Sequence, residues 1–162
     1  MYLLDANAFM EASRLYYSFD IAPPYWDWLV SKHNEGKIAS IVAVKDEIIA
    51  GEGQLVDWAT DQRMNSFWLA PSADTVKEMR KLSTWANAPS SNFKSAAIEE
   101  FMDSADLQLA AHAAAIGGVV VTRETADPNC RKRVKLPDAG IQVGVRSIQP
   151  FEMYKRLGLR FK

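Results

Sequence analysis

The chain has 162 residues, 48% of them hydrophobic and 24% charged, enough for one domain with its own buried core. With 19 Lys and Arg against 20 Asp and Glu, the net charge is −1, so the total gives no sign of a nucleic-acid binder. No apolar run approaches the ~20 residues of a membrane span, and no membrane partner is expected. The opening MYLLDANAF has no basic stretch ahead of an apolar core, so it does not read as a secretory leader. The lone Cys130 cannot close an internal disulfide, and a reducing, cytoplasmic setting is expected.

In chain order, Tyr2 to Leu4 is a short apolar run ending at Asp5 and reads as a strand. A helix-compatible stretch follows from Asn7 to Tyr17. Pro23 and Pro24 open a second helix, about Tyr25 to Asn34, with Trp26, Leu29 and Val30 as its apolar stripe and Gly36 as its stop. Lys37 to Ile41 reads as a second strand. Ser40 is positioned to cap a helix that runs through Val42, Ile48 and Ile49. Gly51 and Gly53 interrupt it, and a further helix covers Gln54 to Asp61. Ser72 to Trp85 is a helix with a capping-box-like start. After a loop at Pro89 to Asn92, another helix runs to about Met102. Ala105 to Ile116 is an alanine-rich helix stopped by Gly117 and Gly118. Val119 to Val121 is a continuous apolar run, as a strand buried on both faces requires. After a basic loop, Ile141 to Val145 reads as the last strand, and Pro150 starts a short terminal helix. Strands separated by helices predict an α/β fold, a short parallel sheet between two helical layers, over a single domain at 1–162.

Four acids fall where such a fold builds its sites. Asp5 follows the first strand, and Glu124 follows the valine strand. Glu47 lies on the helix after the second strand, and Asp106 begins the alanine helix. Open parallel sheets bind ligands outside the carboxyl ends of their strands, and all four acids can converge there. Asp103, one turn before Asp106, is the alternative at that position. Clustered carboxylates repel one another, and a hard divalent cation with oxygen ligands relieves the repulsion. With one Cys and only His33 and His112, there is no ligand set for zinc. The expected ion is therefore Mg2+ or Mn2+, able to activate water against a phosphate. Arg131, Lys132, Arg133 and Lys135 form a basic cluster suited to backbone phosphates, with no reading of sequence.

These segments resemble the PIN-domain nucleases along nearly the whole chain. LLDAN at 3–7 is similar to that family's opening strand, and SIVAVKDEI at 40–48 to its second-acid helix. ADLQLAAHAAAIGGVVVTRE at 105–124 is similar to its third-acid helix, buried strand and Thr-x-acid ending. LYYSFDIAPPYWDWL at 15–29 and RKRVKLPD at 131–138 resemble a PIN-like branch found mainly in bacteria. The resemblance implies a three-layer PIN-like fold and metal-dependent endonucleolytic cleavage of RNA, leaving a 3′-hydroxyl and a 5′-phosphate. It assigns Asp5, Glu47 and Asp106 to metal binding, Glu124 to the fourth acidic position, and Asn7 and Thr122 to support of the first acid. It also implies the toxin of a toxin–antitoxin pair, held by a cognate antitoxin, and a homodimer. Two departures keep a second reading open, a non-catalytic PIN-like module binding RNA or protein. Ala6 stands where threonine or serine is usual, and Glu124 where aspartate is usual. The aspartyl-phosphate phosphatases fit less well, because Asp5-Ala6-Asn7 lacks their second aspartate. There is no Gly-rich phosphate loop or dinucleotide fingerprint either. The aromatic segment Tyr16 to Trp28 is the candidate docking surface.

Overall fold

The computed structural model describes residues 1–161. Its centre is a five-stranded sheet, all parallel, in the order β3-β2-β1-β4-β5. The strands are β1 (Tyr2–Leu4), β2 (Ile38–Ile41), β3 (Trp68–Leu69), β4 (Val119–Val121) and β5 (Ser147–Ile148). Around them lie α1 (Ala6–Glu11), α2 (Pro23–Asn34), α3 (Val42–Ile49), α4 (Gln54–Thr60), α5 (Ala73–Asn87), α6 (Ser95–Asp103), α7 (Ala105–Ile116), α8 (Leu136–Gln142) and α9 (Pro150–Arg156).

The sheet grows in one direction from β1 to β2 and β3, then resumes on the other side with β4 and β5. Right-handed crossovers with opposite directions of travel place their helices on opposite faces. α1 and α2 therefore cover one face, and α5 to α8 the other, giving three layers. Alanines make α7 thin, and Ala110, Ala111 and Ala113 are wholly buried, so the helix lies close on β2 and β4. Its partner on the outside is α5. Ring contacts fix the α1 side of the sheet. Phe9 on α1 sits 5.8 Å from Trp58, 5.9 Å from Phe67 and 5.7 Å from Trp68, between ring centroids. Trp26, Trp58 and Trp68 are all buried, as core tryptophans rather than exposed stacking platforms.

Several sequence expectations need correction. The helix expected from Asn7 to Tyr17 is α1 followed by a π-helical stretch at Ala12–Tyr16, where the Tyr17 N–H donates to the Ala12 carbonyl at 2.7 Å. Ser40 does not cap α3. Its hydroxyl is buried within the sheet and donates to the Leu4 carbonyl at 2.6 Å, tying β2 to β1. The last strand is not Ile141 to Val145. Leu136-Pro137-Asp138 starts α8 instead, with proline in its first turn, and Ile141 is an exposed helix residue. The chain then turns back, the Val145 N–H donating to the Gly140 carbonyl at 2.8 Å, and the strand comes two residues later as β5. β3 went unforeseen, since two residues are too short for any periodicity. The Ser72 capping box at α5 is present, with Thr75 as its reciprocal partner. Among the described residues no helix is long and apolar enough to cross a membrane.

Candidate functional site

Chain direction reverses between β1 and β4, since β1 leads on to β2 while β4 leads on to β5. Adjacent loops then leave the sheet in opposite directions and open a crevice at the carboxyl ends of these two strands. Asp5 stands in that crevice. In the register, Leu4 lies opposite Val121, and the Asp5 N–H continues the ladder to the Val121 carbonyl at 3.0 Å. Thr122 therefore falls beside Asp5, and its hydroxyl donates to Asp5 Oδ2 at 2.8 Å. Both residues are buried, Asp5 to 5% exposure and Thr122 to 1%. Thr122 Oγ1 also accepts the Glu124 N–H at 3.1 Å, which fixes the turn carrying Glu124. Asn7, by contrast, is exposed on α1.

Asp106 arrives from the other side. α7 runs back towards the amino ends of the strands before β4 begins, so its own first turn lies at the carboxyl edge. Asp106 occupies that first turn, one residue inside Ala105, while Ser104 is the helix cap. Asp103 is exposed at the end of α6, so the structure turns Asp106 rather than Asp103 towards the acids. Glu47 comes from α3, and its Oε1 accepts the Ala105 N–H at 3.4 Å, a long bond that ties α3 to the start of α7. A carboxylate there also faces the positive end of the α7 dipole. The neighbouring Asp46, exposed as Glu47 is, points in a different direction from the helix.

The acids at this edge lie near enough to act on one another through their charges. The Asp106 carboxyl is pushed up to about 8 from its ordinary 3.8, first by burial and then by the charges of Asp5, Glu124 and Glu47. Only Arg133 pulls it down. Asp5 is pushed up to about 6, first by burial, with the Thr122 hydrogen bond opposing and the charges of Glu124 and Glu47 adding to the rise. At neutral pH such a group of acids favours either shared protons or a cation.

Glu124 is held differently from the other three. Arg133 pairs with its Oε1 at 2.6 Å, and the Leu136 N–H at the start of α8 donates to its Oε2 at 2.8 Å. The sequence placed Arg133 with Arg131, Lys132 and Lys135 in a phosphate-binding cluster. The structure brings Arg133 onto Glu124, and it turns Arg131 to the Pro128 carbonyl at 2.9 Å. Lys132 is exposed, and Lys135 caps α8 through its backbone. Among the described residues no group of three or more His, Cys, Asp or Glu is disposed to hold a metal ion as it stands. The donor set nevertheless suits a hard divalent cation. The acids supply carboxylate oxygens, and the two most buried, Asp5 and Asp106, carry raised affinities for protons, first because they are buried and then because other acids face them. Asp5, Asp106 and Glu47 are the residues that would hold it.

A larger cavity, about 450 Å3, opens beside Glu124 and was not foreseen from the sequence. Pro137, Ile141, Val145 and Ile148 give it apolar walls, and Arg146 and Gln149 give it polar ones. Because the stretch Ile141 to Val145 reads as a strand, nothing in the sequence signals a cavity between α8 and β5. Of the aromatic segment considered for docking, Tyr25 and Trp26 are buried, and the exposed part is Tyr16 and Ile21, beside Leu15.

The fold and the crevice define a doubly wound parallel α/β protein with a cluster of four acids at its topological switch point. The chain belongs to the DUF4411 family, a domain of unknown function, whose model matches residues 2–161. No curated protein and no solved structure matches it.

Proposed function

We propose that this chain is a divalent-metal-dependent endoribonuclease of the PIN-like kind, hydrolysing RNA phosphodiester bonds. The observation that carries the reading is the raised proton affinity of Asp5 and Asp106, first from burial and then from the charges of Glu124 and Glu47, in a crevice at the switch point of the sheet. A bound Mg2+ or Mn2+ would supply Lewis acidity towards a phosphate oxygen and lower the pKa of a coordinated water. The chain's own residues do the rest. Thr122 orients the Asp5 carboxylate. Glu47 joins the α3 and α7 ends of the crevice. Lys132 and Lys135, outside the acidic centre, present positive charge to the backbone of a bound strand. The same reading places the protein in the cytoplasm as the toxin of a toxin–antitoxin pair, with a cognate antitoxin as partner and a homodimer as its assembly.

The test is cleavage of a mixed RNA pool with Mn2+ or Mg2+, and with EDTA, by wild type, Asp5→Asn and Asp106→Asn. Metal-dependent cleavage lost in both variants is the expected result, and full activity in clean preparations of both would rule the assignment out. A second reading, a non-catalytic module that binds RNA or protein, is favoured by one observation. Glu124, already one methylene longer than the aspartate of the resembling family, is engaged by Arg133 and the α8 backbone. RNA binding by filter retention without any cleavage, in either metal, would select it.

A further inference from the structure

We propose that the cavity between the end of α5 and the start of α8 is a binding site for a guanidinium group, with Asp138 as its counter-ion and Trp85 as the ring it lies against. None of Asp5, Glu47, Asp106 and Glu124 lines this cavity, and the proposal does not rest on the nuclease reading.

The cavity holds about 200 Å3. Trp85 and Phe93 give it aromatic walls, and Asp127, Asp138, Arg131 and Gln142 give it polar ones. Asp138 carries the argument. It is only 8% exposed, so it has lost most of its hydration. Its Oδ2 accepts the Asp127 N–H at 2.8 Å, and among the described residues its Oδ1 accepts no hydrogen bond. No lysine or arginine among the described residues pairs with it, and Arg131 donates instead to the Pro128 carbonyl at 2.9 Å. Buried charges in folded proteins are paired, and a ligand cation would complete this one.

The walls are already in place, as in most small-ligand sites. The Lys94 N–H donates to the Arg131 carbonyl at 3.0 Å, which ties the two loops around the cavity together. The Ser91 hydroxyl donates to the Ala86 carbonyl at 2.9 Å and holds the turn after α5. Trp85 meets Phe93 edge to face at 5.4 Å between ring centroids and backs onto Phe101 at 6.4 Å.

The lining sets the chemistry of the ligand. Two acids against one arginine favour a cation over an anion. Two carboxylates beside aromatic walls are too few oxygen donors for a hard metal ion. Among organic cations a guanidinium is flat and weakly hydrated. It lies on a ring face while its N–H fork meets a carboxylate, whereas an ammonium gives up more hydration on entering. A cavity of this size takes one such group on its aliphatic stem.

The experiment follows the Trp85 indole N–H and the Gln142 side-chain amide by NMR. The isotope-labelled full chain is titrated with Nα-acetyl-L-argininamide, free L-arginine and Nα-acetyl-L-lysinamide. Saturable shifts at both positions are expected with the argininamide, at a Kd on the order of 1 mM or tighter. The lysinamide should bind at least about threefold more weakly. Asp138→Asn, which can still accept the Asp127 N–H, should weaken binding about tenfold or more. Arg131→Gln, which removes a competing cation, should tighten it roughly threefold. Both variants are compared after thermal melting shows them folded, and Arg131→Gln decides alone if Asp138→Asn does not fold. Free L-arginine binding as tightly as the capped amide would support the site with a free amino acid as its source, and a preference for the capped amide would support it with an arginine of a peptide. No saturable shift, unchanged affinity in folded Asp138→Asn, weaker binding in Arg131→Gln, or equal affinity for the lysinamide overturns the proposal.

Discussion

Replacing Asp106 by asparagine should stabilise the metal-free protein while destroying its proposed activity. The carboxyl has a pKa of about 8 in the fold against an ordinary 3.8, because it is buried and faces Asp5, Glu124 and Glu47. A raised acid leaves stability intact below its unfolded pKa, and stability falls as pH rises from there through the folded value. At 1.36 kcal/mol per pH unit, ionisation of Asp106 in the unfolded chain, which the fold resists, costs the fold up to about 4 kcal/mol at pH 7. Relaxation and residual solvent access bring the expected gain to about 1–3 kcal/mol. Asparagine is nearly isosteric and carries no charge, so it removes the cost without opening a cavity. Urea unfolding in EDTA should show Asp106→Asn more stable than wild type at pH 8 and the two nearly equal at about pH 4. Adding Mn2+ should stabilise wild type and leave the variant unmoved. A variant less stable than wild type at pH 8, or an equal difference at both pH values, would refute the reasoning, since only a titrating charge gives the effect this pH dependence.

Thr122→Val should cost about 1–3 kcal/mol, because it deprives a buried carboxylate of its hydroxyl donor and the Glu124 N–H of its acceptor. It should also raise the Asp5 pKa above 6, seen as an upward shift of that residue's carboxyl resonance titration by NMR. Mn2+ affinity of the wild type should climb between about pH 5 and pH 8, as Asp5 and Asp106 must both lose their protons to the solvent before they ligate; calorimetry in buffers of differing ionisation enthalpy counts those protons. Phe9→Ala should lose about 3–5 kcal/mol in chemical denaturation, since that ring joins Trp58, Phe67 and Trp68 in one buried cluster. Ser40→Ala, which removes a buried tie from β2 to the Leu4 carbonyl next to Asp5, should cost about 1 kcal/mol and lower Mn2+ affinity severalfold.

The sequence alone determined the elements whose signals are local. The Ala105 to Ile116 helix, the Val119 to Val121 strand and the Ser72 cap follow from an apolar run, a glycine stop and a hydroxyl at the right spacing, and all three stand as read. Strand-helix alternation also let Asp5, Glu47, Asp106 and Glu124 be expected at one edge, while whether their side chains meet there is a matter of tertiary structure. Tertiary structure decided what no local pattern carries. β3 exists because Ser40 and Ile41 pair with Trp68 and Leu69 across a long stretch of chain. Ile141 to Val145 is apolar enough for a strand, yet a proline-started helix claimed its beginning, and pairing with β4 moved the strand on to Ser147. Arg133 belongs to a run of cations whose members look alike in sequence. Its choice of Glu124 depends on where the α8 turn carries the guanidinium, and charge pairing across a fold is a matter of distance in space, which spacing along the chain does not encode.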